Sequence, residues 1–285
     1  MRILQNKWRK KIKEENEINA KVKQKSLVIE ILRIIACFLV IICHTNSWSF
    51  DKNVINTGWF CGVAIYLISK TAVPIFFMIS GALYLRKDYS YKEMLVKILK
   101  RILLPLALFS ALIYFKNNRQ ISVLNLVNFL NAFLKGNILQ YYWFLYTLMG
   151  LYAITPFIRK MILNFKNKDY IMLFLIWIVF SGILPIIQNY ANISISTSFQ
   201  IPLVTGYICY YILGYYMLNY LCINRKKKCL IINIVSFVLS IILSTLITYL
   251  DFEKTNYQRY TVFLDKLNYI SIIIPTINIV YIVSM

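Results

Sequence analysis

Ionisable side chains lie in two of the most apolar stretches of the chain. Glu30 and Arg33 fall in the first stretch and Lys70 in the second, while His44, the only histidine, closes the first. A charged side chain inside a bilayer costs roughly 2.5–3.5 kcal/mol on insertion scales, so such residues usually mark a functional site. An imidazole can take up and release a proton near neutral pH. These residues therefore predict a polar site in apolar surroundings, with His44 available for proton transfer.

The spacing of Arg33 and His44 puts both residues on one side of a helix. They are 11 residues apart, and 11 steps of about 100° return to within roughly 20° of the starting direction. Glu30 and Cys37 fall on the same side. At about 1.5 Å per residue, Arg33 and His44 are separated by about 16 Å along the helix. The alternative interpretation is structural: a hydrogen-bonded interfacial histidine, and an arginine that reaches the membrane surface with Glu30 as its partner.

Lys70 is followed four residues later by Pro74. Because proline has no N–H, it leaves the carbonyl of residue 70 without its helical donor. A lysine beside a loosened turn favours a site for an anion or another polar ligand. In the structural alternative, Lys70 pairs with Glu30 or with the freed carbonyl. Ser80 and Gly81, further along the same stretch, are typical of a small-residue packing patch.

The composition places these residues in membrane-spanning helices. Of the 285 residues, 59% are hydrophobic and 15% are charged, against roughly 45–50% and about 25% in soluble domains. Apolar runs long enough to cross a hydrocarbon layer of about 30 Å recur along the chain. They cover residues 27–45, 59–85, 98–115, 141–162, 170–188, 201–221, 230–250 and 267–285. The sequence therefore predicts an all-α, polytopic membrane bundle with eight transmembrane helices in this chain.

The basic residues indicate the orientation of the spans. Of the 32 Lys and Arg residues, 23 lie in the N-terminal tail and in alternate connections, whereas seven lie in the intervening connections. The positive-inside rule then places the N-terminus in the cytoplasm, Arg33 in the cytoplasmic half of its span and His44 near the outer surface. Because the net charge of +21 is spread between the spans in this way, it does not indicate nucleic-acid binding.

No internal repeat or linker divides the chain, which we interpret as a basic cytoplasmic tail, 1–26, and one membrane domain, 27–285. Met285 ends an apolar run that has no basic flank. Either the last span has no basic residues at its cytoplasmic end, or the sequence stops short of a longer protein.

Two further patterns concern a connecting segment and the cysteines. Asn125, Asn128 and Asn131 form a polar stripe in an apolar segment, which predicts an interfacial or re-entrant helix or, alternatively, a partly buried connecting helix. The six cysteines include no Cys-x-x-Cys pair. With a single histidine, they predict neither a metal site nor a disulfide framework.

Four motifs follow one another in the first half of the chain. Arg33-x10-His44 is followed by Val-Pro-Ile-Phe-Phe-Met-Ile-Ser-Gly-Ala-Leu-Tyr-Leu over residues 73–85. Next come Lys-Arg-Ile-Leu-Leu-Pro over 100–105 and Tyr-Trp-Phe-Leu-Tyr-Thr-Leu-Met-Gly-Leu-Tyr-Ala-Ile-Thr-Pro over 142–156. In this combination the chain resembles the acyltransferase-3 family of integral membrane O-acyltransferases, in the branch with a Trp-Phe-Leu-Tyr motif. The family usually has more spans than the eight predicted here, so the resemblance implies that the last spans are missing.

The resemblance implies transfer of an acyl group, usually acetyl, from cytoplasmic acetyl-CoA to a hydroxyl of a cell-surface polysaccharide or a related envelope molecule. Members that modify lipopolysaccharide-like sugars often carry a glutamate after Trp-x-Leu, and none follows here, which leaves the acceptor open. The implied setting is a bacterial cell membrane, which agrees with a chain rich in Ile, Lys, Asn and Tyr. The implied partners are acetyl-CoA, a carbohydrate acceptor and the lipid bilayer, with no metal and no nucleic acid.

The family's first-span Arg and His carry over to Arg33 and His44, and the other site residues are expected from their charge, ring or predicted place in the membrane. Arg33 and His44 are the expected catalytic residues, with His44 acting either as a base or as a transient acyl carrier. The expected donor-binding residues are Arg33, Lys70, Ser80, Lys100 and Arg101. The expected acceptor contacts are Trp48, Trp143 and Tyr146. Other outer aromatics, such as Trp59, would stack on sugar faces or belong to an interfacial aromatic belt.

The main rival function is a multi-span transporter or flippase of a polar or anionic envelope precursor. Intramembrane charges and a proline-broken helix also mark substrate pathways. Such a protein would be expected to contain inverted or parallel repeats, and the sequence has none. A membrane-bound O-acyltransferase of the type that uses a late-span histidine fits less well, because His44 ends the first span. A non-catalytic scaffold is the third alternative.

Overall fold

The computed structural model describes residues 26–45, 55–117, 122–191, 206–220, 227–254 and 266–285. Regular structure in these ranges is helical, with no strand among them. Within them, five helical segments are long and apolar enough to cross a membrane: Ser26–Thr45, Thr57–Tyr84, Tyr91–Lys116, Asn167–Gln188 and Cys229–Leu250. The predicted all-α, polytopic membrane bundle is confirmed.

Helices occupy the described part of each of the eight predicted apolar runs, and α6 lies outside them. In chain order they are α1 (Ser26–Thr45), α2 (Thr57–Lys70), α3 (Ala72–Tyr84), α4 (Tyr91–Ile98), α5 (Leu104–Asn117), α6 (Val123–Leu134), α7 (Trp143–Ile162), α8 (Asn167–Trp177), α9 (Leu184–Ala191), α10 (Ile208–Asn219), α11 (Lys227–Lys254) and α12 (Ile270–Ser284).

The third predicted run begins earlier in the structure than the apolar pattern indicates. Helix α4 opens at Tyr91, whereas the run was expected to start at residue 98. Ser90 and Glu93 form a capping box in which each side chain accepts a hydrogen bond from the backbone N–H of the other. This pair satisfies N–H groups that a helix start leaves open. The basic residues of α4 therefore lie on an ordered helix and not in a loop.

Two compact units divide the chain. Unit 1 contains the described residues up to Ala82 and those from Ile171 to Met285, and unit 2 is Leu83–Tyr170. The sequence predicts one membrane domain over residues 27–285, and this division into units does not test that prediction.

The core of unit 1 forms around α2. The residues in it, from α2, α11 and α12, are Trp59, Val63, Leu67, Ile241, Phe252 and Ile272. The rings of Trp59 and Phe252 are stacked with their centroids 5.6 Å apart. Because Trp59 is only 5% exposed, it packs the core and is not available to stack on a sugar.

A crossing of α3 and α10 brings two backbones of unit 1 into direct contact. A Cβ atom added at Gly81 would lie 1.8 Å from the Tyr211 carbonyl oxygen, and one at Gly214 would lie 2.0 Å from the Met78 carbonyl oxygen. Carbon and oxygen atoms cannot approach that closely, so only glycine fits at either position. The small-residue packing expected at Gly81 is confirmed.

Two π-helical turns interrupt the long helices, at Leu99–Leu103 and at Ile178–Ile183. Each is followed directly by a Leu-Pro pair, which ends in Pro105 or Pro185. A proline cannot donate to the carbonyl four residues earlier and crowds it. The wider hydrogen-bond ring of a π-turn accommodates this defect without ending the helix.

Helix α6 of unit 2 is anchored to α5 by aromatic rings. The ring of Phe129 lies 5.4 Å from that of Tyr114 and 5.6 Å from that of Phe115. Asn128 and Asn131 are exposed. The predicted helix with a polar stripe is therefore present, and its place at the outer membrane interface stays a prediction.

Candidate active site

Helix α1 is unbroken from Ser26 to Thr45. Arg33 and His44 therefore lie on one side of it, as their spacing predicts, and both are exposed. The packed side of α1 carries Leu32 and Ala36, each 0% exposed, whereas Phe38 is 63% exposed on the far side. By helix geometry, Arg33 and His44 lie between these two sides. The polar side thus borders the packed surface and is not the side turned fully outward.

Glu30 does not neutralise the intramembrane cations. In the part of the chain that the structure describes, no ion pair joins Glu30 to Arg33 or to Lys70, and Arg159 with Asp88 forms the one ion pair within 4.0 Å. Glu30 instead accepts a hydrogen bond of 3.4 Å from the Ser26 hydroxyl. The structural alternative, in which Glu30 pairs with either cation, is not what the structure contains.

Lys70 is the last residue of α2 and lies over an aromatic ring. Its Nζ is 4.8 Å from the centroid of the Tyr66 ring, a cation–π arrangement that partly replaces water around the charge. Thr71 separates α2 from α3, and its hydroxyl donates to the Ile68 carbonyl at 2.6 Å. The loosened turn expected before Pro74 is therefore present, and it holds Lys70 half-buried at a helix end.

Lys70 and His44 interact although they belong to different helices. The charge of Lys70 acts electrostatically on the His44 imidazole. No local pattern in the sequence indicates this interaction, because the two residues belong to different helices. A cation whose field reaches an imidazole can help to stabilise negative charge that develops on a reacting oxygen atom.

Ser80 lies in the buried part of α3. It is 8% exposed and precedes Gly81 at the contact with α10. This position fits helix packing, and the expected role of Ser80 in donor binding stays a prediction.

Lys100 and Arg101 belong to unit 2, where they lie in the π-helical turn Leu99–Leu103. Both side chains are exposed. Arg101 donates through Nη1 to the Tyr84 hydroxyl at 3.1 Å, and the Tyr84 ring lies 4.4 Å from that of Tyr152. The tyrosine pair fixes the direction of the Arg101 side chain, whereas Lys100 extends from the turn.

Arg159 fastens the end of α7 to the segment after α3. Its guanidinium Nη1 donates to the Leu85 carbonyl, and its Nε lies 3.5 Å from Asp88 Oδ1. The Arg159 side chain is 17% exposed, whereas that of Asp88 is 91% exposed. This mostly buried cation was counted in the sequence only as evidence of orientation.

Tyrosine rings and further lysines surround the same segment. Lys97 Nζ lies 4.5 Å from the Tyr89 ring centroid, and Lys160 Nζ lies 5.7 Å from that of Tyr91. Burial raises the pKa of the Tyr89 phenol, and the charge of Arg101 acts in the opposite direction. Unit 2 therefore gathers several cations around aromatic rings. No spacing rule in the sequence predicts this cluster, because its members come from α4, from α7 and from the segments directly before and after α4.

The three residues predicted to contact the acceptor differ in their structural surroundings. Trp48 lies outside the described residues. Trp143 begins α7 and is 39% exposed, so part of its ring is accessible. Tyr146 uses its hydroxyl to hold α6, because it donates to the Phe133 carbonyl.

The fold and these residues define an α-helical membrane protein with ionisable residues in its spans and one imidazole on its first helix. The sequence profile of the acyltransferase-3 family, described as an acyltransferase domain, matches residues 27–284. The chain belongs to this family and is a membrane acyltransferase. Comparison with curated proteins and with solved structures gave no significant match.

Proposed function

We propose that the protein moves an acetyl group from cytoplasmic acetyl-CoA to a hydroxyl of a cell-surface polysaccharide or a related envelope molecule. Its family membership supports acyl transfer. The observation that carries the proposal is the placement of His44. It is the only histidine in the chain, lies on the same side of an unbroken α1 as Arg33 and is within the electrostatic influence of Lys70.

As a general base, His44 takes the proton of the acceptor hydroxyl while the hydroxyl oxygen bonds to the thioester carbonyl carbon. The carbon–sulfur bond then breaks, and the proton passes from the imidazolium to the departing CoA thiolate. The products are an ester and free CoA. As a transient carrier, a His44 nitrogen bonds to the acyl carbon first while the carbon–sulfur bond breaks and CoA leaves as the thiol. The acceptor hydroxyl then loses its proton, takes the acyl group as the carbon–nitrogen bond breaks, and His44 is released as a free imidazole. Rapid denaturation near neutral pH with labelled acetyl-CoA leaves label on the protein only in the second route, because an acyl-imidazole hydrolyses in acid.

The donor carries phosphate charges, which cations bind through charge-assisted hydrogen bonds. In unit 2 we assign this role to Lys100 and to Arg101, whose direction the Tyr84 hydroxyl fixes. In unit 1, Arg33 and Ser80 are proposed donor contacts, and Lys70 is proposed to lie near the thioester.

Aromatic residues are the proposed contacts of the acceptor. The partly exposed ring of Trp143 offers a stacking face for a sugar, and Tyr146 and Trp48 complete the proposed contacts. The excess of Lys and Arg in alternate connections supports an N-terminus in the cytoplasm of a bacterial cell. The proposed location is the cytoplasmic membrane.

Replacement of His44 tests the proposal directly. His44→Ala should abolish transfer of labelled acetyl from acetyl-CoA in isolated membranes and remove the acetyl esters from envelope glycans, measured by mass spectrometry. Thr45→Ala is the matched control, because Thr45 is the next residue of α1 and, among the described residues, its hydroxyl donates to the Ile41 and Ile42 carbonyls of its own helix. Both variants should insert into the membrane equally. Full acetylation by His44→Ala would falsify the assignment.

A flippase would behave differently in the same preparation. Reconstituted in liposomes, it would move an envelope precursor across the bilayer without acetyl-CoA, and labelled acetyl would not appear on any acceptor. The proposed function requires the reverse result for both measurements.

A further inference from the structure

The short segment between α3 and α4, residues 85–90, contains a carboxylate that faces a mostly buried arginine. Asp88 Oδ1 is 3.5 Å from Arg159 Nε, at the outer limit of an ion pair. The remaining partner of the guanidinium is the Leu85 carbonyl, which accepts from Nη1. Among the described residues, Nε has no hydrogen-bond partner although it is buried. A guanidinium has five N–H donors, so Arg159 has donor capacity that its protein partners leave unused.

The two charged groups differ in how much hydration free energy they lose in the folded protein. Arg159 is 17% exposed, so its charge has lost most of its water, whereas Asp88 is 91% exposed and keeps its water. Exposed ion pairs contribute only about 0–1 kcal/mol. A desolvated guanidinium gains much more from an anion that makes short, paired hydrogen bonds, and a phosphate is such an anion. Asp88 is thus held weakly at a position where a phosphate would be held strongly.

The surroundings of the pair also favour an anion. Arg86 and Lys87 directly precede Asp88 and are exposed. Lys160 is adjacent to Arg159 in sequence, and its Nζ lies 5.7 Å from the Tyr91 ring centroid. Asp88 is therefore set among cations that would attract a polyanion toward it, and Glu93 of α4 is a second exposed carboxylate close to the segment.

We propose that Arg159 binds a phosphate of the acyl-CoA donor, and that Asp88 occupies this site as a competing carboxylate until the donor arrives. The inference rests on the proposed function, because acyl-CoA supplies the phosphate. In this arrangement Asp88 sets the donor concentration at which the enzyme is half occupied. A donor phosphate that displaces it also retains the hydrogen bond from Arg159 to Leu85.

Two substitutions that are expected to change CoA affinity in opposite directions test the proposal. CoA binding is measured with the purified full chain in nanodiscs of phosphatidylcholine. Asp88→Asn should tighten CoA binding by about two- to fivefold, because the competing charge is lost. Arg159→Lys should weaken CoA binding by about tenfold, since lysine lacks the planar fork of arginine. In the Arg159→Lys background, Asp88→Asn should no longer tighten binding. Dephospho-CoA locates the contact, because the gain from Asp88→Asn disappears with this ligand only if the 3′-phosphate is bound.

The control is Asp169→Asn, which removes an exposed acid of unit 2 that accepts from the Lys166 backbone N–H at 2.7 Å. The amide oxygen of asparagine can accept the same hydrogen bond, so CoA affinity should not change. A purely structural Arg159–Asp88 pair predicts equal or weaker CoA binding in both Asp88→Asn and Arg159→Lys. That result overturns the proposal.

Two further outcomes separate this inference from its alternatives. If the wild-type protein transfers no acetyl group but Asp88→Asn still tightens CoA binding, the proposed function fails and the phosphate site stands. If added phosphatidylglycerol, and not CoA, binds in a manner that depends on Asp88 and Arg159, the ligand is a lipid headgroup and the donor site is overturned.

Discussion

At the scale of single residues, Lys70 is a charge that costs free energy where it lies within a membrane span. Its charge lies at a helix break over the Tyr66 ring, and the structure gives it no carboxylate partner within the described residues. A charge kept in a span without a compensating acid is expected to reduce stability and to serve function.

Lys70→Met should lower acetyl transfer by on the order of a hundredfold, comparable to the loss of one preorganised catalytic donor. The thermal stability of the purified variant should equal or exceed that of the wild type, because the charge is removed from the membrane. Both are measured on the same detergent preparation, as initial rate and as unfolding temperature.

Lys266→Met is the matched control, because Lys266 also lies over a tyrosine ring, with Nζ 5.9 Å from the Tyr269 centroid, but is exposed. It should leave transfer unchanged. If Lys70→Met loses stability and keeps its activity, Lys70 is a structural residue and its assignment near the thioester is wrong.

Individual residues differ in how far the sequence predicts them. The common side of Arg33 and His44 is predicted by their spacing, because a single helix fixes it, whereas their catalytic roles are implied by the family resemblance. Arg159 was missed, because its hydrogen bond to Leu85 joins residues 74 positions apart, and no local pattern records such a contact. The same holds for the interaction of Lys70 with His44. In the sequence, a basic residue between two spans indicates only orientation, whereas the fold also gives its contacts.

At the scale of helices, the crossing of α3 and α10 depends on two glycines. Gly81→Ala would put a Cβ atom 1.8 Å from the Tyr211 carbonyl oxygen, so one backbone has to move. We expect a loss of about 1–3 kcal/mol in unfolding free energy, typical of overpacking, seen as a lower unfolding temperature.

Gly150→Ala provides the contrast, because no atom lies within 4 Å of a Cβ added at Gly150 in α7. Alanine is the better helix former by about 0.5–1 kcal/mol, so this variant should be as stable as the wild type or more so. Equal destabilisation by both substitutions would show that helix propensity, and not the close crossing, explains the Gly81 result.

Helix α6 is held at its C-terminal end by the hydroxyl of Tyr146, which donates to the Phe133 carbonyl. The chain then turns at Gly136, with φ of 69°. Tyr146→Phe removes the hydrogen bond, worth about 1 kcal/mol, and should increase hydrogen exchange in α6. Tyr142→Phe is the control, since the structure records no hydrogen bond for its hydroxyl. A change in acetyl transfer without a change in exchange would instead support direct contact of Tyr146 with the acceptor.

The helices themselves follow from apolar runs, and the ends of α1 and α7 lie within about two residues of the predicted ends. The early start of α4 had a readable signal, since Ser90 and Glu93 have the capping-box spacing. The break at Thr71 was expected from Pro74, whereas the π-helical turns were not. A proline signals a defect in the helix, but the packing of neighbours decides whether the chain kinks, breaks or widens.

At the scale of the whole molecule, the distribution of 23 against seven basic residues predicts the topology. Alkaline phosphatase, which is active only outside the cytoplasm, should be active when inserted after residue 50 and inactive when inserted after residue 165. A green fluorescent protein fused to the N-terminus should fluoresce. The opposite pattern would invert the proposed orientation and leave the donor residues on the wrong side for cytoplasmic acetyl-CoA.

The cations proposed to bind the donor are divided between the two compact units. The cations assigned to the donor were found along one chain, but Arg33 and Lys70 belong to unit 1 and Lys100 and Arg101 to unit 2. The sequence motifs give the order of these residues along the chain but not the distances between them in the fold. The family match shows that the chain is an acyltransferase, and the side-chain contacts within each unit suggest which residues to test.

The two π-helical turns, Leu99–Leu103 and Ile178–Ile183, each contain one residue more than a regular helical turn accommodates. Side chains beyond such a turn are rotated by about 100° from the phase of those before it. Each turn thus behaves as a single-residue insertion absorbed into a helix. When related chains are aligned, those that lack the Leu-Pro pair should have a one-residue gap at these two places and keep the same faces on either side of it.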